Sequence, residues 1–248
     1  MNSFIGKTAI VTGASSGIGR ATALMLAKKG AHVFAVARRE ARLLELAREN
    51  TNLTAVVQDV CQPLTKLESA IGNQKIDILV NAAGLAWGRE AIHEMPRQKW
   101  ETMLDVNVKG LLAVTQLILP KMITAGSGDV VNIGSIAGYE AYAGGAGYCA
   151  SKFAVRAITE SMRHDLLGKG VRVVGIHPGM VETEFSLVRF DGDVDKAKKV
   201  YDGMRPLTAE DIAETVLWTL SRPRHVNIDS LVILSSDQAG ATRVHRQT

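Results

Sequence analysis

Tyr148 and Lys152 stand four residues apart in Gly147-Tyr148-Cys149-Ala150-Ser151-Lys152, a spacing that on a helix puts a phenol and an ammonium on one face. Together such groups can move a proton near neutral pH. A phenol ordinarily ionises near pH 10, and bringing it to about 7 takes about 4 kcal/mol of selective stabilisation of the phenolate. A neighbouring cation supplies part of that. Tyr–Lys pairs at this spacing also occur on ordinary solvated helices, so the pair gains meaning only from what surrounds it. Ser135 is one such neighbour. The stretch Gly128-Asp129-Val130-Val131-Asn132-Ile133 reads as a buried strand ending at Gly134-Ser135, 13 residues before Tyr148, and Gly144, Gly145 and Gly147 let the loop fold the two hydroxyls together.

Other elements must hold a reaction partner against these groups. The chain opens with the apolar run Thr8-Ala9-Ile10-Val11, then Thr12-Gly13-Ala14-Ser15-Ser16-Gly17-Ile18-Gly19, then a periodic segment to about Lys29. Strand, glycine turn and helix is the reading. Gly13, Gly17 and Gly19 permit a tight turn, a close approach to a ligand and close helix–sheet packing, and the helix start around Ser15, Ser16 and Ile18 aims N–H groups at a pyrophosphate. A second strand, His32 to Val36, ends in Ala37-Arg38-Arg39, about 20 residues on, where an NAD site keeps an acid for the ribose 2′-hydroxyl. No acid stands at that strand end. Arg38 and Arg39 offer guanidinium forks suited to a 2′-phosphate, which makes NADP(H) the expected cofactor; otherwise they solvate a helix start, to which Glu40 belongs.

Later strand ends continue the pattern. Leu53 to Val57 leads to Gln58-Asp59-Val60, where Asp59 either accepts from an adenine amino group, with Val60 shaping the pocket, or caps the next helix. Ile78-Leu79-Val80 leads to Asn81-Ala82-Ala83-Gly84, small residues that let a cofactor lie against the backbone, with Asn81 bracing the turn. Helices are expected over about 40–50, 64–72 and 147–167. A longer one, over about 96–124, changes character around Asp105 to Gly110, where Asn107 is either a helix-bending core group or a member of a proton relay. Strand Val171 to Ile176 leads to His177-Pro178-Gly179-Met180-Val181-Glu182-Thr183. There Pro178 and Gly179 make a rigid turn, Val181 borders the crevice, and Thr183 can meet a nicotinamide carboxamide. His177 reads as a packed strand residue. The segment 184–205 has mixed charge and is expected to form a substrate-selecting lid. Thr208 and Asp211 cap a helix to about Leu220, and a last strand spans Ser230 to Leu234.

At 248 residues and 46% hydrophobic content, one domain is expected. No apolar run approaches about 18 residues and no basic region followed by an apolar stretch opens the chain, so neither a membrane span nor a secretory signal is expected, and the location is read as cytoplasmic. Cys61 and Cys149 lack partners at metal spacing; both read as small buried residues, and no metal is expected. The net charge is +4, but the basic residues are interleaved with acids, which points to small anions rather than nucleic acid.

With these elements placed, the chain resembles the short-chain dehydrogenase/reductase family from end to end. The match rests on the glycine stretch Thr12 to Gly19, Asn81-Ala82-Ala83-Gly84, Asn107, Ser135, Tyr148 with Lys152, and Pro178-Gly179, in the family's order and separations. The resemblance implies a Rossmann-type doubly wound α/β fold, with a seven-stranded parallel sheet and helices on both faces. It also implies a tetrad. Tyr148 would be the general acid/base, Lys152 would lower its pKa and hold the nicotinamide ribose, Ser135 would polarise the substrate oxygen, and Asn107 would keep a water beside Lys152. Val181 to Phe190, His225-Val226-Asn227-Ile228 and Val244-His245-Arg246-Gln247 look like the NADP-dependent branch that oxidises serine, allo-threonine and 3-hydroxy acids. A carboxylate substrate needs a cation near the lid, for which Arg189 or Arg205 is available unless both are merely solvated. Competing readings are reduction of a 3-oxoacyl thioester or of a sulfonated, sugar or steroid carbonyl, and a non-catalytic cofactor sensor. The family also implies a homotetramer built on helices near residues 100–122 and 148–167.

Overall fold

Alternation along single strands divides the core into two layers. In β1 (Thr8–Thr12) Ala9 and Val11 join one apolar cluster while Ile10 joins the other. In β2 (His32–Ala37) Val33 and Ala35 follow the first two, while Phe34 and Val36 follow Ile10. Strands covered on both faces carry apolar residues at every position, and this is why these segments read as continuous runs rather than alternating ones.

The computed structural model describes residues 4–247. After β1 come α1 (Gly17–Lys28), β2, α2 (Glu40–Glu49), β3 (Leu53–Val57), α3 (Thr65–Ile71) and β4 (Ile78–Asn81). The second half holds α4 (Arg97–Leu104), a π-helical turn (Asp105–Gly110), α5 (Leu111–Thr124), β5 (Gly128–Ile133) and a 3-10 turn (Ile136–Gly138). It continues with α6 (Ala146–Asp165), β6 (Val171–Pro178), two short helices α7 (Phe185–Arg189) and α8 (Val194–Lys199), α9 (Ala209–Leu220) and β7 (Ser230–Ile233).

The strands form one parallel sheet of seven in the order β3-β2-β1-β4-β5-β6-β7. Leu26 of α1, Leu43 and Leu46 of α2 and Ile212 and Val216 of α9 cover one face. Leu67 and Ile71 of α3, Val114, Ile118 and Met122 of α5 and Met162 of α6 cover the other. The chain works outward from β1 to β3, then returns to the opposite side of β1 with β4. That reversal opens a crevice at the carboxyl edge, where doubly wound sheets bind ligands.

Helix Arg97–Thr124 is continuous and, by length and composition alone, long and apolar enough to cross a membrane. Its Val114, Ile118 and Met122 are fully buried against the sheet, so its apolar character belongs to the core. The interruption expected around Asp105 to Gly110 is the π turn, and α4 and this turn pack on α6. Thr208 and Asp211 form a reciprocal capping box at the start of α9, as their types and spacing imply. The cysteines differ from expectation: Cys149 is buried, but Cys61 is exposed, because it lies in the turn after β3 rather than in a strand. His177 is buried edge-on to Tyr139, with ring centroids 4.9 Å apart, and burial pushes its pKa down to about 4, so it stays neutral as a packed strand residue.

Candidate active site

The carboxyl ends of the strands open into one cleft of about 370 Å³. Every residue expected to touch a cofactor lines it except Asn81. At the glycine turn, Gly13 has φ 70° and a Cβ there would stand 2.8 Å from the Ala82 carbonyl oxygen; a Cβ on Gly19 would stand 2.5 Å from the Gly13 carbonyl oxygen. Only hydrogen fits at either place. Ser16 occupies the N-cap of α1 without capping it, so the first-turn N–H groups of that helix remain suited to an anion. This cradle, with arginines at one end and a lysine at the other, fits an extended dinucleotide.

The bracing assigned to Asn81 falls to Thr12, whose hydroxyl oxygen accepts from the N–H groups of Ala82 at 3.1 Å and Ala83 at 3.0 Å. Asn81 lies deeper. Its amide donates to Thr115 Oγ1 at 3.0 Å and Asn132 Oδ1 at 2.9 Å, and Asn132 donates to Thr159 Oγ1 at 2.9 Å, which ties β4, β5, α5 and α6 together. A polar residue at the end of a buried strand marked the position, but its partners are 34 and 51 residues away.

At the β2 end, Arg38 stands 4.0 Å from Asp59. Asp59 also accepts from the N–H of Cys61 at 2.9 Å, the local turn-capping role. Arg39 donates from Nε to Ser15 Oγ at 3.1 Å, from Nη2 to Ser16 Oγ at 2.6 Å and from Nη1 to Glu184 Oε2 at 2.7 Å. Sequence reading did not anticipate Glu184 in the cleft, since 145 residues separate it from Arg39. The Arg39 hydrogen bond holds its carboxyl below the usual range.

At the other end stand Ser135, Tyr148 and Lys152, all buried. Ser135 Oγ accepts from the N–H of Ala137 at 3.1 Å, which orients it, and the serine lies near enough to the phenol to favour its ionised form. Lys152 Nζ donates to the Ile133 carbonyl at 2.9 Å and stands 5.9 Å from the centre of the Tyr148 ring. Burial pushes the phenol up to about 12, opposed by Ser135 and the Arg189 guanidinium; burial also pushes Lys152 down to about 8. Burial of the phenol outweighs both of these lowering influences.

Asn107 lies behind the cleft wall. Its Oδ1 accepts from the N–H of Leu85 at 2.8 Å, and its Nδ2 donates to the Leu85 carbonyl at 2.8 Å and to Ser151 Oγ at 2.9 Å. Ser151 in turn donates to the Tyr148 carbonyl at 2.7 Å. The π turn presents an amide sideways to the loop after β4 and to α6, so Asn107 is a core brace. A Cβ on Gly84 would lie 3.2 Å from Asn107 Oδ1 and 3.6 Å from Lys152 Nζ, so both atoms border the same small space. Ser151 was missed, although its position one turn after Tyr148 on the same helix hinted at it.

Arg189 lies over the ring of Tyr148. Its Cζ lies 5.3 Å from the ring centre, its Nη2 donates to Tyr142 Oη at 2.7 Å, and its Nε is buried without a partner. Phe185 and Val188 of the same short helix line the cleft. Arg205 instead lines a separate depression with Glu214 and Trp218.

A doubly wound sheet with a glycine cradle and a Ser–Tyr–Lys cluster at its carboxyl edge defines a dinucleotide-dependent oxidoreductase. The chain belongs to the short-chain dehydrogenase family, whose model matches residues 7–192. It is 49% identical over 237 residues to an uncharacterised oxidoreductase of Mycobacterium tuberculosis, covering 96% of this chain and 94% of that one. It is 38% identical over 257 residues to an NADP-dependent 3-hydroxy acid dehydrogenase of Schizosaccharomyces pombe, covering 100% and 99%. Among solved structures, the closed form of a serine dehydrogenase complexed with NADP+ matches with a TM-score of 0.91 and 43% identity, over 97% of this chain and 100% of that one.

The buried lysine makes a stability prediction. Because its folded pKa lies below its ordinary value, the unfolded chain holds the proton more tightly, and the cost of burial is present in full below about pH 8 and fades as pH rises toward 10.5. Lys152→Met is expected to stabilise the fold by about 1–2 kcal/mol at pH 7, with the gain shrinking by pH 10. Thermal denaturation of both proteins at the two pH values checks this.

Proposed function

We propose that this protein transfers a hydride reversibly between NADP(H) and a small 3-hydroxy acid such as serine or allo-threonine. One observation carries the reading: Ser135, Tyr148 and Lys152 meet at one end of a cleft whose other end holds the glycine cradle with Arg38 and Arg39. The nicotinamide supplies or accepts the hydride. The chain's own residues manage the proton and the orientation. In the oxidation direction the Tyr148 phenolate takes the proton of the substrate hydroxyl, and in reduction the phenol returns it. Ser135, fixed by Ala137, donates to the substrate oxygen. Lys152 supplies the ammonium that favours the phenolate and a donor for the cofactor ribose, with Asn107 bordering the space beside it for a relayed proton. Arg38 and Arg39 take the 2′-phosphate.

Arg189 supports a substrate with a carboxylate. An unpartnered buried guanidinium nitrogen beside the reacting phenol is costly until an anion satisfies it. The relatives' names agree with that class. Residues 184–205 serve as the lid. The Arg189 carbonyl accepts from the N–H of Gly88 at 2.9 Å, and Asp191 is held by the Trp87 indole and by Lys99, which brings α7 over the phenol. The enzyme is read as cytoplasmic and homotetrameric. Trp100, Ile123 and Phe153 leave apolar side chains exposed on the helices that such an assembly would use, and native mass spectrometry at four times 26.6 kDa checks it.

Tyr148→Phe removes the proton acceptor and is expected to lower kcat by roughly 100- to 10,000-fold while NADPH still binds; near-normal turnover would overturn the assignment. Arg189→Met is expected to raise KM for serine and 3-hydroxypropanoate at least about tenfold, the scale of one charge-assisted pair, without a matching rise for uncharged secondary alcohols in the same spectrophotometric assay.

A further inference from the structure

The acid that an NAD site carries at the end of β2 is missing from that position, yet a carboxylate reaches the same place from the far half of the chain. Glu184 lines the cleft together with Ser15, Ser16 and Arg38. It accepts from Arg39 at 2.7 Å and from Arg42 at 3.4 Å, so one carboxylate spans both guanidinium groups. All three nitrogens of the Arg39 guanidinium are engaged, by Ser15, Ser16 and Glu184. Glu184 is also the N-cap of α7, the helix that carries Arg189.

A dianionic 2′-phosphate and this carboxylate cannot both sit on Arg39 without strong repulsion between them. A ribose with a bare 2′-hydroxyl makes no such demand, and its O–H can donate to Glu184. We propose that Glu184 is a cofactor-selectivity residue, a carboxylate that competes with the 2′-phosphate of NADP for Arg39, so that phosphate binding releases the start of α7 from its tie to α2. This rests on the reading of Arg39 as a phosphate ligand. It adds that the two dinucleotides leave the substrate-facing helix differently anchored: NADP trades the Glu184 contact for its own, whereas NAD leaves it in place. Glu184 thereby tempers the preference that Arg38 and Arg39 create.

The test uses the full chain and needs no turnover. Fluorescence titration with NADPH and with NADH gives dissociation constants for the wild type, Glu184→Gln, Arg39→Ala and the double variant. Glu184→Gln is expected to tighten NADPH roughly threefold to tenfold, the scale of one partly exposed charge pair with a dianion, and to leave NADH unchanged or weaker. In the Arg39→Ala background the same substitution is expected to have no effect on NADPH. Amide hydrogen exchange over residues 184–189 is expected to be faster with NADPH than with NADH. Weaker NADPH binding in Glu184→Gln would make the carboxylate an orienting partner of Arg39 and overturn the competition, as would equal changes for both cofactors or equal exchange with both. Unchanged NADPH binding in Arg39→Ala alone would overturn the arginine assignment as well, which separates the two failures.

Discussion

Burying a phenol and an ammonium side by side is the constraint around which this molecule is arranged. Removal of water drives both toward neutrality, the phenol to about 12 and the lysine to about 8. Positive charge brought beside the phenol would favour its ionised form. The protein holds most of the polar groups nearby, the buried Nε of Arg189 excepted. Lys152 is anchored on the Ile133 carbonyl, Ser135 on the Ala137 N–H, and the backbone of Tyr148 on Ser151.

That anchoring extends into the fold through buried amides. Asn107 joins the loop after β4 to Ser151 on α6, and Asn81 and Asn132 join two central strands to α5 and α6. Side-chain hydrogen bonds in a low-dielectric core favour one arrangement over others, although Asn81 Oδ1 is left without a partner. The π turn belongs to this scheme: a single widened turn lets one amide face sideways from a helix that is otherwise continuous over Arg97–Thr124. The positions of Tyr148 and Lys152 on α6 are thus tied to hydrogen bonds behind the cleft wall.

Charge is organised differently at the two ends of the cleft. The Tyr148 end is dry and has Arg189 poised over the ring, whereas the β2 end is wet and alternates sign, with Arg38 against Asp59 and Arg39 and Arg42 against Glu184. Exposed pairs of this kind contribute little to stability and are correspondingly easy to rearrange. The helix Phe185–Arg189 links the ends, since its N-cap sits among the arginines and its last residue sits on the phenol.

The parallel sheet was implied by the family resemblance, while local patterns in the chain were enough to read the strands and helices, the glycine cradle, the strand ends that line the cleft, the broken helix around Asn107 and the Ser135–Tyr148–Lys152 cluster. Each of these local features follows from hydrophobic period, glycine placement or a fixed helical offset, which are properties of neighbouring residues. Tertiary structure alone decided which polar group meets which. Thr12 rather than Asn81 braces the turn, Cys61 lies in the open, Arg189 and not Arg205 approaches the phenol, and Glu184 supplies an acid where the strand end has none. Such pairings join residues tens to more than a hundred positions apart, and the depth of burial around Tyr148 is a sum over many such contacts. Spacing along a chain encodes neither.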